Sequence, residues 1–152
     1  MEENFRIAIA ISPDASIQTK QEVSDVAGFP LRLYARLPHG ALVMPPMGRA
    51  AVPTGITIAL PDLIEAQVVG PRGWDQEHPL SILNSPGTID PDYRGEVHVL
   101  LINLSALPTV VEHGQEIAEL RLASFVRASF KEVETFGPTA RGKNGLGSTG
   151  TN

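Results

Sequence analysis

Apolar residues return at every second position in several short stretches of this chain. In residues 5–11, Ile7, Ile9 and Ile11 share one face, with Arg6, Ala8 and Ala10 opposite. Leu31, Leu33 and Ala35 alternate with Arg32 and Tyr34, and Ile56, Ile58 and Leu60 alternate with Thr57 and Ala59. A period of two predicts strands with one buried face. Residues 66–69 predict another short strand, and residues 97–104 a strongly apolar one. Ala118, Leu120 and Leu122 would share one side of a further strand. Residues 125–133 predict the last strand, with Arg127, Lys131 and Glu132 as its charges. Residues 12–25 are polar, contain Pro13 and read as a loop. Residues 40–48 hold Pro45, Pro46 and Gly48 and read as loop with one short strand.

Composition sharpens this picture. Glycine and proline together make 27 of the 152 residues, about 18%, against roughly 12% in average usage. The excess points to many turns and short strands rather than long helices. The length suits one domain with a real core. The net charge of −5 excludes a general affinity for nucleic acid or anionic lipid. Without cysteine there is no disulfide framework and no thiolate chemistry. No apolar run approaches the length of a membrane span, so no membrane partner is expected. The acidic start, Met1-Glu2-Glu3-Asn4, is unlike a signal peptide, and a soluble cytoplasmic protein is expected.

Chemistry concentrates in Asn84-Ser85-Pro86-Gly87-Thr88-Ile89-Asp90-Pro91-Asp92-Tyr93-Arg94-Gly95. Carboxylates, a phenol, a guanidinium and two turn glycines lie together there. Leu80, Ile82 and Leu83 flank it on one side, and Val97, Val99 and Leu100 on the other. Two strands joined by a wide loop are expected. Polar groups at the tip of a hairpin are well placed to grip a small ligand, because the strands hold the loop rigid.

Residues 87–95 resemble the third motif of the trimeric dUTP pyrophosphatases (dUTPases), Gly-x-Ile-Asp-x-x-Tyr-x-Gly, at every fixed position. Other segments resemble that family in order along the chain. Val26-Ala27-Gly28-Phe29-Pro30-Leu31 resembles the first motif, with Pro30 where the family has Asp. Pro53-Thr54-Gly55 is similar to dUTPase sequence and also suits any tight strand entry. Gly70-Pro71-Arg72-Gly73-Trp74 stands at the second motif, Pro-Arg-Ser-(Gly or Ser)-Leu-Ala. In either register the serine hydroxyl is absent. Trp74, the only tryptophan, reads as a packing residue. Gly114, Ile117, Ala118 and Leu120 match the fourth motif, while Gln115, Glu116 and Glu119 replace its Asp, Arg and Gln. In the tail, Arg141, Gly142, Gly145, Gly147, Ser148, Thr149 and Gly150 match the fifth motif, with Asn144 and Leu146 replacing a Gly and a Phe.

The resemblance implies an all-β, distorted jelly-roll-like barrel or sandwich over residues 1–136. A Gly-rich tail, 137–152, would close over an active site. It implies a homotrimer with sites between subunits, converting dUTP and water to dUMP and pyrophosphate. Mg2+ would be held mainly by phosphates and waters, with no residue of the chain assigned as a ligand. Asp90 stands at the catalytic carboxylate, within reach of an attacking water. Tyr93 matches the ring beneath the deoxyribose, leaving no room for a 2′-hydroxyl. Gly87, Thr88, Ile89 and His98 would read the uracil edge, with Asn84 close by. Arg72, Gly73, Arg141, Gly142, Gly147 and Ser148 would grip the phosphates through charge, hydroxyl and backbone N–H groups.

The departures fall on the phosphate side, at Pro30, residues 70–79, Glu116, Glu119 and Leu146. Two added carboxylates are expected to repel a polyphosphate. An enzyme with a rearranged phosphate grip, through Arg72, Arg94, Arg141 and Lys143, is the first reading. A catalytically weak or inactive nucleotide-binding or regulatory relative is the alternative. The dCTP deaminase branch is excluded because residues 99–102 are apolar and offer no base. Residues 137–144 nearly fit a P-loop but end in Asn144, with no helix pattern after it. His39, His78, His98 and His113 lack zinc-site spacing.

Overall fold

The structure is a computed structural model and describes residues 6–25, 29–74 and 78–143. Its strands are β1 (Ala8–Ile11), β2 (Leu31–Tyr34), β3 (Leu42–Met44), β4 (Arg49–Pro53), β5 (Ile56–Ala59) and β6 (Ile64–Val69). They continue as β7 (Leu80–Ile82), β8 (Gly87–Ile89), β9 (His98–Asn103), β10 (Thr109–Val111) and β11 (Glu116–Ser124). One helix, α1 (Ile17–Asp25), lies between β1 and β2. Among the described residues every strand pair is antiparallel, and none joins neighbours in sequence. One sheet runs β2–β11–β6–β8 and another β4–β9–β7, with β1 beside β5 and β3 beside β10. The core is therefore assembled from segments far apart in the chain.

The alternating positions face that core as expected. Leu33, Ile56, Val99, Leu101 and Leu120 are fully enclosed and belong to one cluster. Pro53-Thr54-Gly55 carries the chain from β4, beside β9, into β5, beside β1. Thr54 Oγ1 donates to the Val97 carbonyl at 2.8 Å. Gly55 has φ +78°, and a Cβ there would lie 2.6 Å from that of Ala15. Only glycine satisfies both conditions.

Two expectations are corrected. Residues 17–25 form α1, not loop. Ser16 caps the helix, its Oγ accepting the Thr19 N–H at 3.0 Å. The face turned inward is polar: Thr19 and Glu22 are buried. The Glu22 carboxylate accepts from Arg32 N at 3.3 Å and from Arg32 Nε at 3.0 Å. The helix thus lacks the apolar stripe that sequence reading relies on. The strand expected over 125–133 is also absent, because β11 ends at Ser124. Beyond it Val126 is 90% and Phe130 100% exposed. Among the described residues this segment has no partner strand.

Candidate active site

The site is built on β8 and the turn that follows it. β8 pairs with β6, setting Gln67 opposite Thr88 and Val68 opposite Gly87. Asp90, Pro91, Asp92 and Tyr93 make a β-turn closed by Tyr93 N donating to the Asp90 carbonyl at 3.2 Å. Proline at its second position has the φ this turn needs. Arg94 Nη1 caps the loop by donating to the carbonyls of Pro91 at 2.6 Å and Tyr93 at 2.9 Å. The Tyr93 ring folds back over the chain and donates its phenol proton to the Glu96 carbonyl at 3.0 Å. A Cβ on Gly95 would sit 2.5 Å from Tyr93 Cζ. The motif glycine is where the ring needs bare backbone.

This arrangement encloses a cavity of about 180 Å³. Val68, Ile89 and Leu100 give it apolar walls, and Asn84, Thr88 and His98 give it polar ones. Gly87 and Tyr93 complete the lining. Six residues expected to bind the base and sugar therefore line one space: Asn84, Gly87, Thr88, Ile89, Tyr93 and His98. Pockets that enclose a whole drug-sized ligand measure roughly 300–1,000 Å³. This one, at about 180 Å³, is smaller than that range.

Asp90 does not line that cavity. It is exposed and borders a neighbouring cavity of about 310 Å³, together with Asp62, Asp92, Arg94 and Arg127. Carboxylates and guanidiniums face one another there. Among the described residues no group of three or more His, Asp or Glu side chains is arranged to hold a metal ion.

Arg72, Gly73, Arg141 and Gly142 line neither cavity, whereas Arg94 lines the larger one. Arg72, mostly exposed, belongs to a turn in which Trp74 N donates to the Pro71 carbonyl at 3.0 Å. Gly73 is exposed in the same turn. Glu119 holds that turn to β11. Its carboxylate accepts the Arg72 N–H at 3.4 Å, pairs with Arg72 Nε at 3.6 Å and with Arg121 Nη2 at 2.8 Å. Burial pushes the Glu119 carboxyl up, but Arg121, the Arg72 N–H and both guanidinium charges outweigh it, and the net shift is down. Its charge is therefore paired with two arginines. Glu116 differs. Burial raises it, Arg32 opposes this, the Glu119 and Glu22 charges reinforce it, and the net shift is up.

Trp74 packs against the core and stacks on His78, ring centres 4.1 Å apart and planes 13° from parallel. Its packing role is the one expected. Arg141 and Gly142 lie on the exposed segment after β11, where Gly142 N donates to the Thr139 carbonyl at 3.1 Å. Gly147 and Ser148 lie outside the described residues, as do Val26, Ala27 and Gly28 of the first motif. Sequence reading missed Glu96 and Arg36, which are bound to each other behind the Tyr93 loop. A glutamate one residue past a turn glycine reads as a solvated charge, and nothing local marks its partner.

Comparison with known proteins settles the family. The dUTPase family model matches residues 15–150. A deoxyuridine 5′-triphosphate nucleotidohydrolase of Treponema pallidum is 41% identical over 146 residues, covering 96% of this chain and 98% of the relative. The chain belongs to the dUTPase family. A second relative of the same name, from Beijerinckia indica, is 46% identical over 121 residues, 79% of this chain and 76% of its own. Solved dUTPase structures share the fold. One, a mutant dUTPase from phage phi11 of S. aureus, superposes with a TM-score of 0.72 at 15% identity, covering 88% of this chain and 100% of its own. That structure is described as revealing a structural Mg(II) ion. The Staphylococcus bacteriophage 80alpha dUTPase with dUPNHPP gives a TM-score of 0.72 at 17% identity, over 96% and 99% of the two chains. The expected jelly-roll-like dUTPase fold is thus the observed one, with one short helix added.

Proposed function

We propose that this chain is a dUTP diphosphatase that hydrolyses dUTP to dUMP and pyrophosphate. The single observation carrying this reading is the convergence of Asn84, Gly87, Thr88, Ile89, Tyr93 and His98 on one cavity sized for a pyrimidine ring. Backbone groups of β8 offer donors and acceptors to the uracil edge. The Tyr93 ring lies against the deoxyribose and leaves no partner for a 2′-hydroxyl. Asp90, at the rim, takes the proton of a water as it attacks phosphorus, and pyrophosphate leaves.

The parts of the site lie apart in one chain, and that supports a homotrimer with sites between subunits. The nucleoside cavity, the Arg72 turn and the Arg141 segment each need groups the others carry. Val126, Phe130 and Phe136 are exposed on a segment running away from the body, which suits contact with another copy. Mg2+ enters with the triphosphate and offsets its charge. Among the described residues no helix is long and apolar enough to cross a membrane. We read the protein as a cytoplasmic enzyme acting on free nucleotide.

The test is steady-state pyrophosphate release from dUTP with Mg2+, run beside dTTP, dCTP and UTP. Turnover of dUTP alone is the expected result. Binding of deoxyuridine nucleotides by calorimetry without turnover would refute the enzymatic reading.

A further inference from the structure

The Glu96 carbonyl accepts two hydrogen bonds from the walls of the nucleoside cavity. Tyr93 Oη donates to it at 3.0 Å, and His98 Nδ1 lies 2.9 Å from it. A carbonyl oxygen has two lone pairs, and both are used. For His98 to donate here its proton sits on Nδ1, which leaves Nε2 an acceptor. One oxygen atom therefore fixes the ring beneath the sugar and the tautomer of a wall residue.

That oxygen is held from behind by the side chain of its own residue. Glu96 Oε1 accepts from Arg36 Nε at 2.8 Å and from Gly55 N at 2.7 Å, and Oε2 accepts from Arg36 Nη2 at 2.8 Å. This is the two-pronged guanidinium–carboxylate geometry, which fixes orientation as well as distance. Arg36 Nη1 reaches on to Asp14 Oδ2 at 2.8 Å. Arg36 N donates to the Pro53 carbonyl at 2.8 Å. The loop before α1, the exit of β2 and the bend at Gly55 thus all converge on Glu96. The side chains of Arg36 and Glu96 are 22% and 24% exposed, so water competes little for the pair. Burial raises the Glu96 carboxyl, but Arg36 and the Gly55 N–H lower it by more, and it stays ionised at neutral pH.

We propose that Glu96 is a positioning residue for substrate selection: anchored by Arg36 and Asp14, it holds Tyr93 and His98 in the geometry that accepts a 2′-deoxyribose and rejects a ribose. This rests on the reading of the cavity as the deoxynucleoside site. Tyr93 is 42% exposed at the rim, so its ring depends on this bond for a fixed position. A ring free to swing would still pack against a sugar, but would no longer exclude the extra hydroxyl.

The experiment measures kcat and KM for dUTP and UTP in wild type, Glu96→Ala, Glu96→Gln, Arg36→Lys, Tyr93→Phe and the Glu96→Ala/Tyr93→Phe double variant. Thermal unfolding is recorded for each. Freeing the carbonyl that holds the Tyr93 phenol weakens that bond, and about a tenfold rise in KM for dUTP is predicted in Glu96→Ala, with kcat within about twofold. The preference for dUTP over UTP shrinks by about the same factor, and Arg36→Lys lies between it and wild type. Adding Glu96→Ala to Tyr93→Phe costs little more, because both act through the one bond between the Tyr93 phenol and the Glu96 carbonyl, the first by freeing its acceptor and the second by removing its donor. Should Glu96→Ala fail to fold, Glu96→Gln and Arg36→Lys carry the same comparison. A lowered melting temperature with an unchanged dUTP-to-UTP ratio overturns the proposal, as do losses that multiply in the double variant. If the wild type does not turn over dUTP, the proposed activity has failed. The positioning role is then read from dUMP against UMP binding by calorimetry, where an unchanged ratio in Glu96→Gln overturns it.

Discussion

The proposed nucleoside side and the proposed phosphate side of this site are built in opposite ways. The proposed nucleoside cavity comes from β6, β8, β9 and the segments on either side of β8, and two of its polar groups, Tyr93 and His98, are tied down within the same chain. Arg72 and Gly73 sit on a surface turn and Arg141 and Gly142 on the exposed segment after β11, while Gly147 and Ser148 lie outside the described residues. The first region is preorganised and keeps its motif whole. The substitutions, Pro30, Glu116 and Glu119 among them, fall outside its lining. Base and sugar selection needs fixed geometry at contact distance, whereas charge can be supplied from several directions. A chain can therefore change its phosphate grip while its pocket stays intact. Glu119 illustrates this. In place of the family's glutamine, it holds the Arg72 turn to β11 rather than standing as a bare negative charge.

The sharpest way to break the comparison is Asp90→Asn. Removal of the general base lowers kcat by about 10²–10⁴-fold while deoxyuridine nucleotide binding is kept, read by pyrophosphate release and calorimetry. Next comes Gly95→Ala, whose new Cβ displaces the Tyr93 ring. KM for dUTP rises by about tenfold or more, because a misplaced contact group forfeits its binding energy. A smaller effect is expected on the other side. Glu119→Ala releases the Arg72 turn, raising KM severalfold and lowering stability by about 1 kcal/mol or less, since both arginines are substantially exposed.

The smallest effect concerns pH. The Glu116 carboxyl titrates above its ordinary 4.5 in the folded chain. Its favourable contribution is present below the unfolded value and is lost as pH rises through the folded one. Glu116→Gln therefore raises the melting temperature slightly at pH 7 and has no such effect at pH 4. Glu96 and Glu119 have the opposite sign. Their shifts are downward, so their contribution is present above about 4.5 and is lost as pH falls through their folded values.

Much of this was legible in the chain. Strands with one apolar face announced themselves by alternation, and the pocket motif by residue identity at close spacing. Helix α1 was not, since it buries Thr19 and Glu22 rather than an apolar stripe, and only Ser16 marks its start. The strand expected over 125–133 did not form because a strand needs a partner as well as β-type residues. The Glu96 anchor was invisible for a different reason. Arg36 and Glu96 are 60 positions apart, and Arg36 and Asp14 are 22 apart, so the network exists only once the sheets have formed.

The account is tested most directly by a crystal structure of the chain with a non-hydrolysable dUTP analogue and Mg2+. The uracil is expected against the backbone of Thr88 and Ile89, with the Tyr93 ring packed on the deoxyribose and its phenol still bound to the Glu96 carbonyl. A nucleotide seated elsewhere, with Tyr93 turned away from the sugar, would contradict it.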